Sequence, residues 1–180
     1  MAHIDTSEII RAAVWIRPTG KALERIQKWV RLAHKEAGGP QVPPHITLLT
    51  GAETTLASAE IKLKHLAARI KPFMLKLGDI DSGDDYFRSL FVNVEHSEEI
   101  AAAQRAAYDA FEMNPAPPFE PHLSLAYGKI DAALKKRFID EAGGRLEGQF
   151  EVRAVHLVNS TSGVPVSAWH TLFEQPLAAA

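Results

Sequence analysis

The 180-residue chain contains no cysteine. That excludes disulfides, thiolate metal sites and a cysteine nucleophile, and it fits a reducing, cytoplasmic setting. Long apolar runs are missing too. No stretch approaches the roughly 18–20 residues of a membrane span, and MAHIDTSEII opens with an early acid, so neither a spanning helix nor a secretory leader is expected. An excess of charge is also lacking. Lys and Arg total 20 against 22 Asp and Glu, a net charge of −2, so no basic face for long nucleic acid is expected. The expected partner is a small molecule or a chain end, handled by a monomer. There is no Gly-rich phosphate loop, no Ser-centred elbow, no His-Glu-x-x-His and no His-x-His. These absences argue against nucleoside triphosphatases, serine hydrolases and zinc enzymes. Neither a metal nor a cofactor is expected.

What is present fits one compact domain over 1–180, with 46% hydrophobic residues and room for two small lobes. IIRAAVWI reads as a strand ended by Pro18. Thr19 then caps an amphipathic helix over 21–37, with Leu23, Ile26, Trp29, Val30 and Ala33 as its apolar stripe. Gly38 and Gly39 stop it, and prolines 40, 43 and 44 lead into the strand HITLLTG. A second helix is expected over 56–70, with Ile61, Leu63, Leu66 and Ile70 inward. Two strands follow, FMLKLGDI and RSLFVNVE, split by a turn at 82–85. A third helix (98–112), the Pro-rich NPAPPFEP, the strand HLSLAYG and a fourth helix (132–142) come next. LEGQFEVRAVHLVNS and VSAWHTLFEQP read as two closing strands joined by a turn at 161–163. Twice, a helix is followed by a proline-rich loop and a short strand that begins Pro-His. The order implies an α+β fold of two intertwined lobes with mostly antiparallel sheets, each lobe delivering one histidine strand to a shared groove.

The two segments are Val42-Pro43-Pro44-His45-Ile46-Thr47-Leu48 and Phe119-Glu120-Pro121-His122-Leu123-Ser124-Leu125. Side chains alternate along a strand, so His45 shares a face with Thr47, and His122 with Ser124. With 8 His and 11 Pro in the chain, a shuffled sequence gives ~0.05 Pro-His-x-Ser/Thr matches, and two have a chance on the order of 0.001. One imidazole can take a proton while the other gives one, because histidine titrates near neutrality. The two hydroxyls can hydrogen-bond phosphate oxygens where charge grows. A cyclic phosphodiester, opened in line, suits such a pair. His34 and His65 read as helix-surface or packing residues. His3 falls in the terminus, and His96 precedes a helix cap. His156 and His170 could line the cleft, but no partner is evident for either. The basic runs Lys62/Lys64 and Lys135-Lys136-Arg137 read as solvated faces.

The twin motifs, with Val14-Trp15-Ile16 on the first strand, resemble the 2H phosphoesterase superfamily over essentially the whole chain. Most similar is its cyclic phosphodiesterase branch from plants and yeast. The resemblance implies pseudo-twofold symmetry about a central cleft and metal-independent hydrolysis of a cyclic phosphate. The implied substrates are 2′,3′-cyclic nucleotides, which would leave 2′-monophosphates, or ADP-ribose 1″,2″-cyclic phosphate. It implies His45 and His122 as the acid–base pair, leaning toward His122 as the residue that activates water. Thr47 and Ser124 become the phosphate-binding hydroxyls. Tyr127 is a further phosphate contact, although a regular strand would turn it away from Ser124. Trp15 is either a base-stacking residue or a core aromatic. Tyr86 and Phe87 are candidates for adenine stacking, and Arg17 and Arg88 for a pyrophosphate. The cysteines that plant members carry are absent. Two other readings stay open: an RNA-end enzyme, either a 2′,5′ ligase or a 3′-end phosphodiesterase, and a catalytically silent nucleotide- or RNA-binding module.

Overall fold

A computed structural model describes residues 7–114, 118–160 and 163–179. His3, the middle of the Pro-rich stretch and the first two residues of the 161–163 turn lie outside the described residues. The strands are β1 (Ile9–Ile16), β2 (Ile46–Thr55), β3 (Phe73–Ser82), β4 (Leu90–Val94), β5 (His122–Ala126), β6 (Gln149–Val152), β7 (Ala154–Asn159) and β8 (His170–Pro176). The helices are α1 (Gly20–Ala37), α2 (Leu56–Ala68), α3 (Glu98–Ala110) and α4 (Ala132–Glu141).

All pairings are antiparallel, and the strand order is β6-β3-β4-β5-β2-β1-β7-β8. The expected two sheets are thus two four-stranded halves of one sheet. They join where β2 meets β5 through a single pair, Ile46 with Leu123. The histidine strands are the two innermost strands. LEGQFEVRAVHLVNS, expected as one strand, is two. β6 pairs with β3 at one end of the sheet and β7 pairs with β1 near the other. Only Arg153 separates them, so the sheet must curl until its ends approach.

The helices sit on one face. α1, which precedes β2, packs on β5, and α3, which precedes β5, packs on β2. Each of these helices thus packs on the histidine strand that it does not precede. Val14, Ile16, Ile46, Leu48, Leu123, Leu125 and Leu157 point into the helix-side core. Their alternates, Ala13, Trp15 and Val158, form a separate cluster on the other face, closed by Trp169. Thr19 stands at the start of α1 without a side-chain cap bond. Ala22, Ile26, Val30 and Ala33 are the buried stripe, with Trp29 only partly buried. Ile61, expected inward, is exposed. Ala59, Leu63 and Leu66 hold the buried face of α2, and two positions from either of the first two lies about 200° around the helix.

Lys135 is a further correction. It is buried rather than solvated. Its ammonium donates to the Gly83 carbonyl at 2.6 Å and meets Asp84 at 3.4 Å. α4 thereby ties down the loop between β3 and β4. The same loop closes tightly at Gly83, where a Cβ would lie 2.8 Å from the Arg88 carbonyl.

Candidate active site

The antiparallel register of Ile46 with Leu123, extended one residue each way, sets Thr47 opposite His122 and His45 opposite Ser124. Each histidine therefore faces the hydroxyl of the other motif. All four residues line one cavity of about 420 Å³, together with Trp15, Phe87, Tyr127 and Trp169. Arg11, Thr50, Gly51 and Ser160 complete its lining, and no carboxylate is among them. Among the described residues, no group of three or more His, Cys, Asp or Glu side chains could hold a metal ion.

The two imidazoles are anchored in the same way. His45 Nδ1 lies 2.6 Å from the Pro43 carbonyl, and His122 Nδ1 lies 2.9 Å from the Glu120 carbonyl. A carbonyl can only accept, so both Nδ1 atoms carry the proton. Each neutral ring then offers the Nε2 lone pair for chemistry. The proline between anchor and histidine fixes the backbone that makes this contact.

Beyond that bond their surroundings diverge. His45 is only 6% exposed and stacks flat on Trp15, with ring centres 3.6 Å apart and planes 12° from parallel. Burial, with Arg17 and His122 adding repulsion, pushes its pKa down to about 4 against the pull of the Pro43 carbonyl. His122 is half-buried and meets Phe91 edge-on at 5.4 Å. Its pKa is also lowered, mainly by burial and further by Arg88, while the Glu120 carbonyl and carboxylate oppose the shift.

The hydroxyls differ as well. Thr47 makes no hydrogen bond to protein, whereas Ser124 donates to the Phe87 carbonyl at 3.0 Å. Tyr127 turns into the cleft because the β4–β5 register shifts at Leu125, so that Leu125 and Ala126 both face the core and the alternation slips by one. Its hydroxyl contacts the Ser124 side chain, and burial raises its pKa, so the phenol stays protonated. Gly39 allows the loop after α1 to reach this point: its φ is +75°, and a Cβ would lie 2.9 Å from the Tyr127 carbonyl.

Trp15 is 2% exposed, and one of its ring faces carries His45. A base has no access to that face. Tyr86 and Phe87 are 49% and 44% exposed on a short 3-10 turn, and only Phe87 lines the cavity. Trp169, which sequence reasoning missed, stacks near Phe87 at 6.4 Å and turns its edge toward Trp15, His45 and Tyr127. Its one sequence signal was an aromatic just before the last strand. Arg88 lies outside the cavity, ion-paired to Glu120 at 2.6 Å and lying over Phe91. His156, for which no partner was evident, faces Glu174 on β8 at 3.7 Å. His34, His65, His96 and His170 are exposed and outside the cavity.

A family model described as the 2′-5′ RNA ligase superfamily matches residues 17–163, a span that holds both motifs. The chain belongs to this superfamily. The cyclic phosphodiesterase of Arabidopsis thaliana is 24% identical over 130 residues, which cover 72% of each chain. The apo crystal structure of E. coli LigT aligns over 96% of this chain and 99% of its own, with a TM-score of 0.68 and 21% identity. LigT complexed with 3′-AMP aligns over 94% and 99%, with a TM-score of 0.65 and 17% identity. At that identity the LigT likeness shows a shared fold. The α+β, 2H-type architecture expected from the twin motifs is the one observed, and the curated relatives carry phosphoesterase names. No helix among the described residues is long and apolar enough to cross a membrane.

Proposed function

We propose that this chain hydrolyses a cyclic phosphodiester without metal, by acid–base catalysis between His45 and His122. The substrate is a nucleoside 2′,3′-cyclic phosphate opened to the 2′-monophosphate, or ADP-ribose 1″,2″-cyclic phosphate opened to the 1″-phosphate. One observation carries the reading: two imidazoles, both fixed through Nδ1, share a cavity with two hydroxyls and no carboxylate. Such a donor set suits proton transfer and anion binding better than metal ligation.

His45, the more depressed of the pair, is neutral over the wider pH range and takes a proton from the attacking water. The phosphorus–oxygen bond opposite the water breaks. His122, less buried than His45, enters this step as the imidazolium and gives its Nε2 proton to the departing oxygen. This assignment reverses the lean of the family resemblance. Thr47 and the protonated Tyr127 donate to the non-bridging oxygens as charge grows there. Phe87 and Tyr86 offer exposed rings for the base.

The test is product analysis with adenosine 2′,3′-cyclic phosphate in EDTA. Activity should persist, with 2′-AMP as product. His45→Ala and His122→Ala should each lower kcat by roughly 10²–10⁴. Loss of activity in EDTA, or a histidine variant at the wild-type rate, rejects the reading. RNA-end processing is a second reading, favoured by Arg11 on the cavity wall. It requires a faster rate on an oligonucleotide with a cyclic end than on the mononucleotide.

A further inference from the structure

Every arginine except Arg17 and Arg31 hydrogen-bonds or ion-pairs with a protein oxygen among the described residues. These two line the same groove, a cavity of about 460 Å³ that also takes in Gln27, Gln41, Pro43 and Trp169. No carboxylate is in its lining. Trp169 belongs to this groove and to the catalytic cleft, so the two cavities share a wall.

The charges around the two half-sites differ, and Arg17 is the arginine left unpaired. Trp15 lies opposite Thr47 in the β1–β2 register, and Phe91 lies opposite Ser124 in the β4–β5 register. Arg17 sits near the Trp15 ring at 5.7 Å, and Arg88 over the Phe91 ring at 4.4 Å. The two arginines enter from opposite ends of their strands, Arg17 two residues after Trp15 and Arg88 three before Phe91, and the Nε of each is buried without an acceptor. Arg88 is neutralised by Glu120, two residues before His122. Two residues before His45 stands Pro43, which has no charge to offer. Glu174 attracts Arg17 but stays beyond ion-pair distance, and His156 adds repulsion when protonated. A half-buried guanidinium without a partner is costly to desolvate, and it is suited to a phosphate, which it can bind in a bidentate fork.

We propose that the Arg17–Arg31 groove is a second phosphate subsite, which binds a phosphate carried by the same substrate as the scissile cyclic phosphate. The proposal rests on the phosphoesterase reading and narrows it to substrates that carry a second phosphate, against a lone cyclic mononucleotide, with Trp169 between the two.

Calorimetric titration tests the subsite without turnover. The ligands are 2′-AMP, 2′-phospho-ADP and a dinucleotide ending in a 2′-phosphate. Wild-type protein should bind 2′-phospho-ADP or the dinucleotide roughly 10- to 100-fold tighter than 2′-AMP. A gain for the first identifies a 5′-diphosphate as the source, and for the second an internucleotide phosphate. Arg17→Gln and Arg31→Gln should each cut that ratio severalfold or more while 2′-AMP binding falls less. Arg31 is exposed, so its variant keeps the test readable if Arg17→Gln fails to fold. Equal affinities for all three ligands, or a ratio unchanged in both variants, overturns the subsite. If cyclic nucleotides prove not to be hydrolysed, the function reading fails while the binding ratio still judges the groove.

Discussion

The two half-sites share a backbone and differ in nearly everything laid around it. In both, an imidazole bonds the carbonyl two residues back across a proline, and a hydroxyl follows two residues on. Yet His45 is sealed under Trp15 beside the unpaired Arg17, while His122 is open to the cleft beside a neutralised Arg88. Thr47 is free, and Ser124 is already bonded. The like backbones bring two histidines together, but the proposed acid–base catalysis needs two different histidines. The packing around each strand makes that difference. It buries His45 more deeply than His122, and burial lowers the pKa of both rings, that of His45 to about 4.

The largest expected effect tests whether that difference sets roles. A 4-nitrophenyl leaving group departs without protonation, so it relieves the need for a general acid. On a 4-nitrophenyl phosphodiester, His122→Ala should come within about tenfold of wild type, whereas His45→Ala should stay roughly 100-fold or more below it. The opposite pattern would exchange the roles. Equal losses on both substrates would mean that the asymmetry has no catalytic meaning.

A smaller effect is expected in stability. Most histidines that gain a partner are raised in the folded state, but His45 is lowered from 6.5 to about 4. On acidification the unfolded chain takes up the proton first. The stabilising contribution is therefore whole above pH 6.5 and is lost as pH falls toward 4, amounting to about 3 kcal/mol across the window. His122 adds a shift of the same sign. Urea unfolding at pH 7 and pH 4.5 should show a smaller acid loss for His45→Gln than for wild type. Parallel losses in the two proteins would show that burial does not depress this histidine.

The shared part of the half-sites was legible in the sequence because it is local. Proline, histidine and hydroxyl lie within four positions, and strand alternation places them. Their asymmetry was not legible, because it comes from residues remote in the chain. Trp15 covers His45 through the β1–β2 register, and Trp169 arrives from beside β8. Tyr127 could be aimed only by knowing that the β4–β5 register slips at Leu125. Lys135 read as surface because a helix position says nothing of the loop that will lie over it. The break at Arg153 was hidden because β6 and β7 together read as one apolar alternation, although they serve opposite ends of the sheet.

The smallest effect separates the hydroxyls. Thr47 has no protein partner, so its whole hydrogen-bonding capacity is available to a phosphate oxygen. A hydrogen bond to a charged group contributes about 1.5–3 kcal/mol, so Thr47→Val should cost roughly 10- to 100-fold in kcat/KM and leave the melting temperature nearly unchanged. Ser124 spends its proton on the Phe87 carbonyl, and Tyr127 leans on its oxygen. Ser124→Ala should therefore lower kcat less than Thr47→Val does. Its effect should appear as a weaker KM and a melting temperature lower by a few degrees, as the Phe87 turn loses its tie. Activity and melting measured on both variants decide the matter. Two variants that lose activity equally with unchanged stability would make the half-sites functionally equivalent, whatever their surroundings.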